Sequence, residues 1–177
     1  MTAILRNVAV YLLPPLLFST LWAQPQRRDP LTPGEVDELR DAAQDPETRL
    51  KLFIKFARAR LDSLQQIRTD PKVTDRAQQT HDLLQEFLDV YDELNDNIDT
   101  FVERKTDLRK PLKGLIEADN EFQAKLRALK DAADASKAEA EKYRFLLDSA
   151  VDTVDGSAQD HRQLLVEEEE AVKRKKK

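Results

Sequence analysis

The longest pattern in the chain is an apolar repeat whose members lie alternately four and three residues apart, from Val73 to Val154. Such a heptad is typical of helices that pack along a narrow, left-handed seam. Its polar members are Thr80, Lys105, Asp119 and Ser136. The other positions are Ala77, Leu84, Phe87, Tyr91, Leu94, Ile98, Phe101, Leu108, Leu112, Leu115, Phe122, Leu126, Leu129, Ala133, Ala140, Tyr143, Leu147 and Ala150.

Two helices are predicted before this repeat. Thr32 and Glu35 have the spacing of a capping box, with a proline at the first helical position, and predict a short helix to about Ala43. Asp45-Pro46 is a second start signal, and the apolar stripe behind it runs to about Arg68. That stripe consists of Leu50, Phe53, Ala57, Leu61 and Leu64.

Asp70-Pro71 predicts the start of a third helix, in which Pro111 and Gly114 interrupt the repeat. One interpretation is a turn near residues 109–111 between two antiparallel helices, with Asp107 as the cap of the second. The other is one helix kinked at the proline. A helix of about 80 residues would span ~120 Å, more than the preceding helix could cover, so we favour the hairpin.

The C-terminal part is predicted to leave the bundle. Asp155-Gly156-Ser157 predicts the end of the last long helix, because Gly favours a helix C-terminus. Residues 156–177 would then form a flexible charged tail, either helical or disordered. The predicted fold class is all-α: an elongated antiparallel helical bundle or coiled-coil hairpin of three to four helices over residues 32–155, after a linker at 24–31. A charged fraction of 36% with only 3 Gly agrees with long helices.

Residues 1–23 have the pattern of a cleaved secretory signal peptide. Arg6 is their only charged residue, an apolar run follows it, and Ala23 stands at the expected cut. We therefore predict a periplasmic or secreted protein, assuming a bacterial source. The alternative is an uncleaved segment that anchors the protein in the inner membrane, although the apolar run is shorter than the ~20 residues of a membrane span. Cleavage would remove Trp22, the only Trp.

No catalytic, cofactor-binding or metal site is predicted. The chain has no Cys, which excludes disulfides and thiolate chemistry. Neither His81 nor His161 follows a Glu by three residues, as helical di-metal sites require, and both are interpreted as solvated. The carboxylates between residues 92 and 99 lie mostly off the seam and are interpreted as a solvated helix face: Asp92, Glu93, Asp96 and Asp99.

Polar residues on the seam have two interpretations. Asp119 and Lys105 could be buried groups that fix helix register and oligomeric state, or the seam could be exposed near Pro111. The aromatic residues on helical stripes are interpreted as core: Phe53, Phe87, Tyr91, Phe101 and Phe122.

The chain ends with an acidic run, residues 167–170, and a basic run. Glu169–Lys173 and Glu170–Arg174 are four residues apart, which favours a helix. The basic run predicts weak contact with anionic surfaces, and the alternative is a solvated tail. A net charge of −5 argues against nucleic acid as the partner. The basic run consists of Lys173, Arg174, Lys175, Lys176 and Lys177.

These features indicate a non-enzymatic structural or protein-interaction protein of the bacterial cell envelope, which self-associates or binds another helical protein. One alternative is a periplasmic helical chaperone or stress-sensor-like binding protein. Residues 31–35 resemble the Leu-Thr-x-x-Gln motif at helix starts in such families, with Glu35 in place of Gln. A capping box accounts for the same residues, so no family is assigned. Another alternative is a membrane- or wall-associated protein that binds through its basic C-terminus. No small-molecule substrate is inferred.

Overall fold

The structure, a computed structural model, describes residues 29–175 and is all-helical over that range. The predicted signal peptide, most of the predicted linker and the last two lysines lie outside the described residues. The expected all-α bundle is confirmed, but three to four helices were too few. The described residues form six helices: α1 (Pro33–Asp41), α2 (Pro46–Thr69), α3 (Arg76–Glu103), α4 (Arg109–Ala135), α5 (Lys137–Ala140) and α6 (Arg144–Lys175).

The first two predicted helix starts are confirmed by their hydrogen bonds. The Thr32 hydroxyl accepts the Glu35 backbone N–H at 3.3 Å, and the Glu35 carboxylate accepts the Thr32 N–H at 2.8 Å. At α2, the Asp45 carboxylate accepts the Glu47 N–H at 3.1 Å. These side chains satisfy backbone donors that have no partner within the first helical turn.

The third predicted start is wrong, because Asp70 ends a helix instead of opening one. Its backbone N–H donates to the Gln66 carbonyl as the cap of α2, and its carboxylate accepts the Lys72 N–H at 2.9 Å. The chain needs this turn to reverse direction, so α3 begins only at Arg76.

The hairpin between α3 and α4 is confirmed, and the single kinked helix is wrong. Residues 104–108 form the connection, in which Lys105 has a φ of 56°, the left-handed region that suits a tight turn. The Asp107 carboxylate accepts the Arg109 backbone N–H at 3.1 Å. Pro111 falls in the first turn of α4, where its missing N–H costs no helical hydrogen bond. Lys105 is therefore a turn residue.

A second interruption, at residues 136–143, was not predicted. Ser136 ends α4, α5 is a single turn, and α6 starts at Arg144. Ala140 and Tyr143 nevertheless remain buried at their positions in the repeat. The apolar spacing persists through the turn because its residues still face the core.

The predicted helix end at Gly156 is wrong, since α6 continues to Lys175. A Gly inside a helix costs about 1 kcal/mol relative to Ala, which does not by itself end a helix. Beyond it, Ala158 and His161 are buried, and Leu164 packs against the core. The residues expected to form a tail are thus helix as far as the structure describes them.

The four long helices form a bundle of two antiparallel hairpins. In the first hairpin, Arg49 of α2 donates to Asn97 of α3 at 2.6 Å. In the second, Lys130 of α4 pairs with Asp148 of α6 at 2.6 Å.

The hairpins lie side by side, so that α2 runs parallel to α4 and α3 runs parallel to α6. Arg58 of α2 pairs with Glu121 of α4 at 2.9 Å. Four residues later in both helices, Asp62 pairs with Lys125, so α2 and α4 run in the same direction.

Helices α3 and α4 face each other diagonally, and the Phe87 and Tyr91 rings meet the Phe122 ring at 5.5 and 6.2 Å. All five aromatic residues predicted as core are buried.

We expect Gly156→Ala to stabilise the protein. A Cβ at this position meets no atom within 4 Å, and Ala costs about 0.5–1 kcal/mol less than Gly inside a helix. Urea unfolding should show a gain of about that size. A neutral or destabilising result would contradict a helix that continues through this residue, since at a helix C-terminus Gly is preferred.

Candidate functional site: a buried polar cluster and an apolar groove

Asp119 on α4 is completely buried. Tyr91 of α3 donates its hydroxyl to one carboxylate oxygen at 2.7 Å. His161 of α6 places Nδ1 at 2.8 Å from the other oxygen. An ionised carboxylate has no proton to donate, so this contact is a hydrogen bond when Nδ1 carries a ring proton. Of the two interpretations of Asp119, the buried one is confirmed.

The polar contacts of Asp119 continue through His161 towards the surface of the bundle. His161 Nε2 lies 3.1 Å from the Asn95 side-chain oxygen, and the Asn95 amide donates to the Ser157 hydroxyl at 3.1 Å. We call Tyr91, Asn95, Asp119, Ser157 and His161 the polar cluster. Its members come from α3, α4 and α6, so it joins the two hairpins.

The electrostatics of the polar cluster depend on burial. A buried carboxylate is costly unless its oxygens are hydrogen-bonded, and each oxygen of Asp119 has a partner. Burial and the Asp119 charge raise the pKa of Tyr91 far above its usual value. The phenol therefore stays protonated and remains a hydrogen-bond donor at physiological pH.

The prediction that His161 is solvated is wrong, because only 4% of this residue is exposed. Continuing the repeat from Val154 by three and then four residues reaches Ser157 and His161. The helix end predicted at Gly156 concealed this signal. His81 is partly exposed and contacts its neighbour Asp82 at 3.2 Å, in agreement with its interpretation.

The polar cluster makes its contacts within the protein. The ring nitrogen that an acid–base residue would present to a substrate, Nε2 of His161, faces Asn95. Three members of the polar cluster, Asn95, Ser157 and His161, also line an open cleft of about 380 Å³ between α3 and α6. The polar cluster thus holds three helices together and forms part of the wall of this cleft.

The predicted solvated carboxylates are exposed on α3, as expected: Asp92, Glu93, Asp96 and Asp99. Within residues 29–175, no three His, Asp or Glu side chains are grouped so that they could hold a metal ion. Over the same residues, no helix combines the length and apolar character of a membrane span.

An open apolar groove lies between the parallel helices α2 and α4, with a volume of about 400 Å³. We call it the α2/α4 groove. Its α4 side includes Ala124, Ala128 and Ala132, three small residues one turn apart, which leave space beside the leucines of α2. Its lining residues are Leu61, Leu64, Gln65, Arg68, Thr69, Ala124, Lys125, Leu126, Ala128, Leu129 and Ala132.

Phe145 is the most exposed large apolar side chain in the described part of the chain, at 87%. It follows the buried Tyr143 by two residues, which places it on the outer side of α6. Sequence reasoning followed the repeat and so passed over Phe145 and the three alanines, which lie off it.

The basic end of the chain is only partly described. Lys173 and Arg174 are exposed, and Arg174 forms the predicted pair with Glu170 at 3.4 Å. Glu169 instead pairs with Lys113 of α4 at 3.5 Å, which ties the end of α6 to the bundle.

Comparisons with protein-family models, with curated proteins and with solved structures found no match for this chain.

We expect His161→Ala to destabilise the bundle by about 1–3 kcal/mol, because it leaves one oxygen of the buried Asp119 carboxylate without a hydrogen-bond partner while Tyr91 keeps the other. The matched control is His81→Ala, a surface change expected to stay within about 0.5 kcal/mol. Urea unfolding of both variants gives the comparison. Equal losses would show that the polar cluster contributes no special stability.

Proposed function

We propose that the protein is an exported, non-enzymatic protein-interaction protein of the bacterial cell envelope that self-associates. The observation that carries this proposal is the α2/α4 groove. The apolar side chains of the repeat are mostly buried inside the bundle and are not available to a partner. The groove, in contrast, is an open apolar concavity on the outside of the bundle, with Leu64 and Leu129 among its lining residues.

An apolar concavity on an otherwise charged surface favours a protein partner. Charged residues make up 36% of the chain, so an unfilled apolar groove stands out against its surroundings. Phe145, exposed on α6, is a second apolar feature outside the core. Together they support binding through shape and apolar contact.

Export is supported by the pattern of residues 1–23. When the full chain is produced in a bacterium, the envelope fraction should contain a protein that begins at Gln24 and has no Trp fluorescence, because Trp22 is the only Trp. N-terminal sequencing and intact mass provide the measurement. Ala23→Arg should block the cut and keep the fluorescence. A protein that stays in the cytoplasm with Trp22 would refute export.

Self-association should appear as a molar mass that rises with protein concentration, measured by light scattering on the exported protein. We expect association in the micromolar range or weaker, because a groove of this size forms only a small interface. The self-association part of the proposal fails if the protein remains monomeric up to the millimolar range.

A further inference from the structure

We propose that Arg27 and Arg28 of this chain dock on an acidic surface of α3 in the same molecule. The two arginines directly precede Asp29, the first residue that the structure describes. A cut after Ala23 would leave both of them in the protein. This inference goes beyond the proposed function, because it depends on neither export nor self-association. It is carried by the charge of α3, by the clefts beside it and by the contacts that hold the start of the described chain.

The surface of α3 carries one sign of charge. Between its first residue, Arg76, and its last, Glu103, the helix contains no Lys or Arg. Its carboxylates recur three or four residues apart, and like charges at that spacing disfavour a helix. We call six of them the acidic face. They are Asp82, Glu86, Asp89, Asp92, Glu93 and Asp96.

The middle of the acidic face has no salt bridge to a cation of the described chain. Arg60 of α2 pairs with Glu86, nearer the start of α3, at 3.4 Å. Within residues 29–174, no Lys or Arg forms a salt bridge with Asp89, Glu93 or Asp96. These three carboxylates therefore favour a cation that comes from outside that range.

Two open clefts lie along the acidic face, with volumes of about 710 and 570 Å³. Both are lined by Asp29, Pro30 and Asp89, so they meet where the described chain begins. Apart from His81, every titratable residue that lines them is an Asp or a Glu. The clefts are therefore suited to cationic side chains that enter beside Asp29.

A buried arginine holds the start of the described chain at the acidic face. Arg60, of which only 8% is exposed, donates to the Pro30 carbonyl at 2.8 Å and to the Glu35 carboxylate at 2.7 Å. The same guanidinium contacts Glu86 of the acidic face. The residues before Pro30 must therefore leave the bundle from a point beside α3.

Arg27 and Arg28 are close to this point by connectivity alone. Consecutive Cα atoms lie about 3.8 Å apart, so both arginine Cα atoms fall within about 8 Å of the Asp29 Cα. A guanidinium presents paired N–H donors that match a carboxylate. Because the arginines belong to the same chain as the acidic face, they meet it at a high effective concentration, whereas a second molecule must be recruited from solution.

Docking has a consequence for the start of the exported protein. After a cut at Ala23, only three residues would precede Arg27. The contact would hold this new terminus against α3 and cover the middle of the acidic face. A cationic partner would then have to displace the two arginines before it could bind there.

Carboxylate labelling tests the docking directly. The protein is treated with a carbodiimide and glycine ethyl ester at low salt, and mass spectrometry gives the labelling rates of Asp89, Glu93 and Asp96. In Arg27→Gln/Arg28→Gln these rates should rise about threefold, because weak, exposed ion pairs no longer cover the carboxylates. Salt at about 1 M should raise the rates of the parent protein similarly, since the Debye length falls to about 3 Å.

Each rate is divided by that of Asp131, an exposed carboxylate of α4, which corrects for general effects of salt and net charge. Lys173→Gln/Arg174→Gln is the matched control, because it also removes two adjacent exposed cations. It should leave the ratios unchanged. Arg27→Lys/Arg28→Lys should keep most of the protection, since it retains both charges.

The outcomes decide between the possible occupants of the acidic face. Equal ratios in the parent protein and in Arg27→Gln/Arg28→Gln overturn the proposal. A rise in Lys173→Gln/Arg174→Gln instead would assign the acidic face to the basic end of a second copy, and so overturns it too. Protection that weakens on about tenfold dilution has the same meaning, because a contact within one chain does not depend on concentration. A failure of export or of self-association leaves these ratios unchanged, so the two proposals fail separately.

Discussion

The buried carboxylate of Asp119 imposes the strictest constraint on this bundle. Its two oxygens need donors in a place that water does not reach, and those donors come from two other helices, as Tyr91 and His161. An apolar heptad seam tolerates a slip of one full repeat, because apolar side chains replace one another. A carboxylate with two fixed partners does not, so it can set the register of α3, α4 and α6.

The sequence predicts some helix ends better than others, for a local reason. Thr32 and Asp45 were identified correctly because a cap depends on atoms only a few residues apart. The helix start predicted at Asp70 was wrong, because Asp followed by Pro also suits the turn after a helix. The helix end predicted at Gly156 was wrong for a different reason: Ala158, His161 and Leu164 pack against the bundle beyond it, and this packing outweighs a local preference of about 1 kcal/mol.

The repeat predicted the core but not the connections. Its spacing continues through residues 104–108 and 136–143, because turn residues such as Leu108 and Tyr143 also face the interior. Sequence spacing records which side chains are buried and does not record where the chain reverses. The α2/α4 groove could not be predicted from the sequence for a similar reason. It exists because two helices are parallel neighbours, and the sequence of either helix alone does not contain that relation.

The connection at residues 104–108 has a consequence for folding. It is the only covalent link between the two hairpins, each of which is built from helices close in sequence. We expect each hairpin to form early, because local contacts require little loop closure. The polar cluster takes Tyr91 and Asn95 from one hairpin and the other three members from the other hairpin. Asp119 therefore meets Tyr91 only when the two hairpins dock. If the chain were divided at that loop, the hydrogen bond between Tyr91 and Asp119 would form only after the two pieces had reassembled.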